Sequence, residues 1–346
     1  MNKMPGNCLT TAMGILPHDN IADALKISLS VDIAFWPQLP RYSFYEDMYV
    51  QVSENFPGIR LDEEKRKIGL DTADFYRQLP DYALQSEDED TYKLSKKYTA
   101  AFDAFLKEDL SGYKLVRGQS IGPVSYGLKI TDENLKPIIY NDDLRLFLFD
   151  FIARKVNSQY RRLQEVHPRS FVWVDEPGLE MLFSSFTGYS SDRAHRDFRA
   201  FLDLMEGPRS VHLCGNPDWS FLLSGLDLDI LSLDIFGNGH IFTRYVEEIK
   251  AFLERGAIIS WGIVPTLTEE LEELETAAVH HLVEKLEEYW RFLDSRGVSL
   301  DLILDRAWLA PARCCLINLD GAKSVERAFR FVSQMAALLR ERYNLT

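Results

Sequence analysis

The sequence predicts an α/β protein, a (β/α)8 TIM barrel with a helical insertion after strand 2. Three observations lead there. Short apolar, β-rich runs alternate with amphipathic stretches along the chain, which is the pattern of parallel βα units. Eight such runs are present, the number that closes a barrel. Polar and metal-capable residues follow nearly every run; a barrel collects its chemistry from the C-terminal ends of several strands, whereas an open sheet gathers it at one switch point.

In chain order the expected strands are Cys8–Ile15, Val31–Trp36, Tyr113–Gly118, Ser170–Asp175, Ser210–Cys214, Leu228–Asp234, Ala257–Val264 and Leu302–Leu309. Between them lie helical patterns. Over Asp142–Leu163, residues Leu144, Phe147, Leu148, Phe151 and Ile152 recur at three- and four-residue spacing behind an Asn141-Asp142 cap. Leu267–Leu293 reads the same way, with Thr266 or Thr268 as its cap. The segment Pro40–Ser111 is too long for one βα loop, and a helical stretch over Tyr92–Leu110 makes it a helical insertion, about residues 40–111, over the barrel mouth. The acidic run Glu87-Asp88-Glu89-Asp90 before it reads as solvated surface. A barrel of about 250 residues plus insertions absorbs the length, and neither a repeat nor a linker is visible, so residues 1–346 are expected to form a single domain.

Composition narrows the function. With 46% hydrophobic residues and 14 prolines spread along the chain, the sequence can bury a large core. Its net charge of -14, from 53 acidic and 39 basic side chains, repels phosphate backbones and anionic membranes, so neither nucleic acid nor membrane is an expected partner. The amino terminus has no apolar signal region, and a cytoplasmic location is expected. Four cysteines, Cys8, Cys214, Cys314 and Cys315, are too few for a disulfide framework and are expected as thiols for packing, catalysis or metal binding.

The sharpest local feature is His212-Leu213-Cys214, where a short strand stops. Residues two apart on a strand share a face, so the imidazole and the sulfur can converge on one ion while Leu213 faces the helices. Zinc takes such ligands tetrahedrally, leaving one position for substrate. Cys314, beyond the last strand, is the expected third ligand and Cys315 its alternative; neighbours in extended chain point opposite ways, so both do not reach one ion. The competing reading is a hydrogen-bonded core histidine and packing cysteines. The second feature is Val172-Trp173-Val174-Asp175-Glu176-Pro177, an apolar strand ending in two candidate catalytic carboxylates that Pro177 holds at the strand end. Either can bind a substrate ammonium group or cap the next helix. Asp234 ends the sixth strand as a fourth zinc ligand, a partner for His212, or a loop cap. Met13 and Gly14, in a strand end that lets a ligand approach the backbone, and Gln38, beside Phe35, Trp36 and Arg41, are further candidates for substrate binding. His195, His280 and His281 fall in helical patterns and read as surface residues.

These residues resemble the superfamily of cobalamin-independent methionine synthase (its C-terminal catalytic barrel), the zinc methyltransferases that serve corrinoid proteins, and uroporphyrinogen decarboxylase. The resemblance runs from Thr10-Thr11 with Gly14 and Pro17, through Gly122-Pro123-Val124, Asp175-Glu176-Pro177 and His212-Leu213-Cys214-Gly215-Asn216, to Pro311 and Cys314. It implies zinc held by His212, Cys214 and Cys314, with Asp234 as the shorter counterpart of the family's acidic ligand, and Asp175 on the amino group of homocysteine. Two departures stand out. Ile15 replaces the family serine before the proline of the first motif, and Trp261-Gly262-Ile263-Val264-Pro265-Thr266 has no histidine where methionine synthases carry a catalytic one. No second, N-terminal barrel to hold a polyglutamyl folate precedes Thr10. The resemblance therefore implies a short zinc-dependent thiol methyltransferase, converting homocysteine to methionine with a methylcorrinoid (methylcobalamin or a corrinoid protein) as donor, since a corrinoid leaving group needs no protonation. The alternatives are a decarboxylase acting on a tetrapyrrole, with Arg41 as an anion contact, and a corrinoid- or metal-binding subunit without turnover.

Overall fold

The computed structural model describes residues 4–183, 188–274, 278–314, 318 and 320–345. Eight strands form one parallel sheet: β1 (Leu9–Thr10), β2 (Ile33–Phe35), β3 (Leu115–Ile121), β4 (Ser170–Asp175), β5 (Arg209–Leu213), β6 (Ile230–Asp234), β7 (Ile258–Val264) and β8 (Ala307–Pro311). Each pairs with its sequence neighbour from β2 to β8, and β8 returns to pair with β1 through Leu9–Trp308 and Thr10–Leu309. The remaining seam, between β1 and β2, closes beyond the strand ends. Gln38 N donates to Gly14 O (2.8 Å), Leu16 N donates to Gln38 O (3.0 Å), and Thr11 Oγ1 donates to Ile33 O (3.3 Å). The expected fold class is thus the observed one, a nearly closed (β/α)8 barrel.

The strand alternation sorts side chains into two layers. A Cβ placed on Gly118 would lie 3.3 Å from Leu163 Cδ1 of the helix Asp142–Val166, so Gly118 faces the helical shell. Its neighbours Arg117 and Gln119 therefore point into the barrel. There Arg117 sits over the rings of Trp173 (4.0 Å) and Phe35 (4.9 Å), while Phe171 of β4 meets Trp308 of β8 at 5.6 Å between centroids. The barrel is filled by large aromatic side chains around a guanidinium. Outside, Val172, Val174, Leu213, Leu231 and Leu233 are buried under helices, the apolar burial that drives the fold.

Four elements differ from expectation. The segment Leu302–Leu309 divides: Ser299 caps a short helix, Leu300–Asp305, by accepting from Leu302 N, and β8 begins at Ala307. Apolar Ile303 and Leu304 are buried in either conformation, so the cap decides. The first strand starts at Leu9 because Asn7 and Cys8 have φ of 55° and 56°, a left-handed turn that no strand accommodates. The insertion is helical only in part. It carries an antiparallel hairpin, Ile59–Asp62 with Lys67–Leu70, and Tyr92–Leu110 is broken into Glu89–Tyr92, Lys96–Tyr98 and Ala100–Phe105. Thr99 Oγ1 donates to Ser95 O (3.3 Å), the local competition that interrupts helices at Ser and Thr. The long pattern Leu267–Leu293 likewise resolves into Thr268–Glu273 and Ala278–Asp294. No helix among the described residues is long and apolar enough to cross a membrane.

Gly262 of β7 lies where backbones crowd one another at the mouth: a Cβ there would lie 2.4 Å from Leu233 O and 3.0 Å from Ala312 Cα. Both are backbone atoms, so the strands themselves must separate. Gly262→Ala is expected to cost about 2 kcal/mol of unfolding free energy or more, measured by urea denaturation; an unchanged midpoint would mean β6 and β8 yield freely.

Candidate active site

The C-terminal ends of β4 to β8 make the mouth. Strand register sets Asp175 beside His212, His212 beside Ser232, and Ser232 beside Ser260. These form a polar row inside an otherwise aromatic barrel. His212 is 2% exposed, and its Nδ1 hydrogen-bonds Ser232 Oγ at 2.9 Å. Its Nε2 is buried and has no hydrogen-bond partner among the described residues. Burial, followed by the nearby Arg117 guanidinium, pulls the imidazole down to about 3. At neutral pH the ring is therefore uncharged, with one nitrogen oriented by serine and the other open. A neutral ring oriented through one nitrogen and open at the other could hold a metal ion.

Cys214 lies just past the end of β5, half-buried. Burial first, then the charges of Asp175, Cys314 and Asp234, push its thiol up to about 12. Those causes also place Cys314 and Asp234 in its electrostatic neighbourhood. Cys315 lies outside the described residues. Among the described residues no three His, Cys, Asp or Glu side chains gather closely enough to hold a metal ion. The donor chemistry nonetheless fits zinc: an open imidazole nitrogen, a thiol two residues on, and a second thiol from beyond β8. A thiol held near 12 ionises readily only when a cation arrives beside it.

Asp234, a candidate fourth ligand, is engaged elsewhere. Its carboxylate accepts from Gly237 N at 2.8 Å, capping the helix Ile235–Phe242, and lies 3.1 Å from Arg313 Nε, while Arg313 also binds Glu270 at 2.7 Å. Arg313 thus brings charge of the opposite sign to the region of Cys214.

The two carboxylates after β4 separate in role. Glu176 accepts from Val124 N (3.0 Å), Ser125 N (2.8 Å) and Ser125 Oγ (2.6 Å), which ties β4 to the helix Pro123–Lys129. Gly122 makes room for this clamp, since a Cβ there would stand 2.2 Å from Glu176 Oε1. Asp175, by contrast, has Oδ1 buried without a hydrogen-bond partner among the described residues. Burial, then the Glu176 charge, raises Asp175 to about 8, and burial raises Glu176 to about 7 against the pull of its donors at Ser125 and Val124.

The remaining candidates form the seam. Met13 is 3% exposed. Gly14 N donates to Gln119 Oε1 (2.8 Å), Gln119 Nε2 donates to Gln38 Oε1 (2.9 Å), and Gln38 Nε2 donates to Gln51 Oε1 (2.6 Å). The amides of Gln38 and Gln119 thus bind each other and the backbone, holding the first two loops together. Arg41 donates to Asn318 O at 3.0 Å, which ties its guanidinium to the loop after β8.

Sequence reasoning passed over Arg117, Gln119, Ser232 and Tyr49. Arg117 donates to Thr11 Oγ1 (3.2 Å), Gly118 O (3.2 Å) and Gln119 Oε1 (3.1 Å), and it is fully buried with no carboxylate partner among the described residues. The signal was present: two polar side chains two apart in Val116-Arg117-Gly118-Gln119-Ser120 lie on one strand face. Tyr49, from the insertion, has its hydroxyl raised by burial and then by Asp175, Glu176, Asp47 and Cys214, which brings the insertion to the rim of the site.

Fold and mouth together define a class: (β/α)8 barrels whose fifth strand carries an open, neutral imidazole and a thiol to the rim. Solved structures narrow this. A B12-independent methionine synthase from Shewanella sp. W3-18-1, in complex with selenomethionine, matches over 99% of this chain and 100% of its own with a TM-score of 0.60 at 14% identity. A methyltransferase from Methanosarcina mazei matches over 99% of this chain and 95% of its own, with a TM-score of 0.56 and 14% identity. No protein-family model and no curated protein matches the sequence. The chain has the fold of the methionine synthase-like barrels, as the resemblance of its motifs implied.

The acid pair predicts a pH dependence of stability. Both carboxyls sit above their unfolded values, so the stability they contribute is fully present below about pH 4 and is lost as pH rises through about 7 to 8. Asp175→Asn, which cannot ionise, is expected to gain on the parent protein by about 1 kcal/mol or more between pH 5 and pH 8, measured by denaturation at both; parallel profiles would contradict the assigned burial.

Proposed function

We propose that this protein is a zinc-dependent methyltransferase that moves a methyl group onto a thiol, homocysteine, to form methionine, with a methylcorrinoid as donor. One observation carries the reading: His212 Nε2 and Asp175 Oδ1 are buried, without a hydrogen-bond partner among the described residues, and adjacent in register at the mouth. Buried polar atoms are almost always satisfied, so two open atoms side by side argue for a metal ion at the imidazole and a cationic substrate group at the carboxyl. Homocysteine brings a thiol and an ammonium on one small frame. The likeness to a methionine synthase solved with selenomethionine, an analogue of the methylated product that carries the same ammonium group, supports the choice.

His212, Cys214 and Cys314 would hold the metal. Zinc bound there supplies a Lewis acid that lowers the pKa of a substrate thiol toward neutrality. Ser232 keeps the His212 ring oriented through Nδ1. Asp175 takes the ammonium group on its free oxygen and loses its own proton to do so, because a cation at that oxygen favours the charged form. Glu176 holds the β4 terminus still, so that the thiol meets the methyl carbon in line. The S–C bond forms as the bond from that carbon to the corrinoid cobalt breaks, and the electron pair leaves with cobalt. No proton is needed by the leaving group, consistent with Trp261–Thr266 lacking a histidine beyond β7.

Incubation with zinc, methylcobalamin and homocysteine is expected to yield methionine, and Cys214→Ser to lower the rate by about two orders of magnitude or more, comparable to losing a metal-site residue. Undiminished turnover in that variant would end the assignment. Asp175→Asn is expected to raise KM for homocysteine while leaving KM for the donor unchanged. Because Cys214 ionises only near 12 without metal, zinc titration should release protons into weakly buffered solution and bind more tightly as pH rises; metal uptake without proton release would exclude thiol ligation.

A further inference from the structure

A cleft of about 440 Å³ lies between the insertion and the end of the helix Pro123–Lys129. It is lined by Phe44, Val50, Ile68 and Ile130 as apolar wall, by Arg66, Lys67 and Lys129 as cations, and by Asp47 and Tyr49. Three cations facing one carboxylate is an unusual concentration for a chain of net charge -14, and cations set in a cleft focus an attractive field on anions. Asp47 does not balance them: its carboxylate accepts from Tyr49 N at 2.8 Å as a helix cap, and burial shifts it toward the neutral form. Arg66 is fixed, donating to Pro40 O at 2.8 Å with its guanidinium over the Phe44 ring. Lys67 and Lys129 influence Asp62 and Asp47 electrostatically, but among the described residues their ammonium groups form no ion pair or hydrogen bond. Two ammonium groups are thus available to a ligand.

Position gives the cleft its meaning. Tyr49 is common to both sites: it lines the cleft, and its hydroxyl lies within electrostatic range of Asp175 and Cys214. A molecule seated between the hairpin and Ile130 therefore reaches past Tyr49 toward the thiol. Resting on the methyl-transfer reading above, we propose that this cleft is the anion subsite of the methyl donor, taking a phosphate or carboxylate group carried on an apolar body. The cleft lies within the range of small-molecule sites but is too small for a whole corrin ring, so it holds a part of the donor. Two sources share that chemistry: the phosphodiester and aromatic base of a cobalamin nucleotide tail, and the carboxylate tail of a methylated folate.

The test is equilibrium binding to the full chain by calorimetry, at low and at near-physiological salt, independent of turnover. The variant is Lys67→Glu with Lys129→Glu. Both side chains are exposed and unpaired, and the control, Lys107→Glu with Lys114→Glu, makes the same charge change before β3, at the other end of the barrel. The probes are methylcobalamin, dicyanocobinamide (which lacks the phosphate and base) and 5-methyltetrahydrofolate. The expected result is roughly tenfold weaker binding of one donor to the cleft variant, a loss that shrinks at high salt, with the control unchanged. If methylcobalamin shows the loss and dicyanocobinamide does not, the anion is the phosphodiester; if the folate alone shows it, the anion is a carboxylate. Equal effects in variant and control, or no binding by either donor, overturn the proposal. Methionine formation that persists with binding indifferent to the two lysines would remove the subsite and leave the methyl-transfer reading standing, whereas lysine-dependent binding without methyl transfer would do the reverse.

Discussion

The site depends on polar atoms held dry inside a barrel without partners of their own. Leaving a buried donor or acceptor unpaired costs on the order of 1–3 kcal/mol, and among the described residues His212 Nε2, Asp175 Oδ1 and Ser260 Oγ are all in that state. They stand along one row of the sheet, where β4, β5, β6 and β7 come side by side. The surrounding shell meets this cost. Trp173, Phe171 and Trp308 fill the barrel, and Val172, Val174, Leu213 and Leu233 are wholly or almost wholly buried beneath the helices. Marginal polar chemistry at the mouth is possible because the layers beneath it are tightly packed.

Three clamps turn that packing into geometry. Glu176 joins the end of β4 to the helix after β3 through three hydrogen bonds. Ser232 orients the His212 ring across one strand boundary. The Gln119–Gln38–Gln51 chain crosses the open seam between β1 and β2, where no ladder joins the strands, and extends to the insertion, since Gln51 Nε2 also donates to Tyr98 O at 3.0 Å. Arg117 ties these together from the centre of the barrel, touching Gln119 and Thr11 by hydrogen bonds and Trp173 by stacking. A buried guanidinium lacking a carboxylate is costly, and here it sits where a thiolate or a ligand carboxylate would find a favourable field.

Much of this was legible in the residue order. Parallel strands that are buried on both faces read as short apolar runs, so all eight barrel strands were recognisable, with Ser170–Asp175 matching at both ends. The pair His212 and Cys214 was legible because a two-residue repeat on a strand is a statement about direction. Asp175 and Glu176 were legible as a pair, but not as two different groups. Which of them is clamped and which is open depends on Ser125 and Val124, some fifty residues earlier in the chain. The division of Leu302–Leu309 into helix and strand, and the hairpin at Ile59–Leu70, escaped because a side-chain cap and a turn outweigh apolar pattern over so few residues.

Local order alone therefore determined the fold class, the approximate place of each barrel strand and the kinds of polar atom at the mouth, since alternation and strand-end chemistry are properties of neighbouring residues. Tertiary structure decided which of those atoms are already hydrogen-bonded and which are open, that Arg117 lies at the barrel centre, and that Tyr49 of the insertion reaches the rim. Burial and hydrogen bonding between segments tens of residues apart are set by where the closed sheet brings them, and that is a quantity no single stretch of sequence contains.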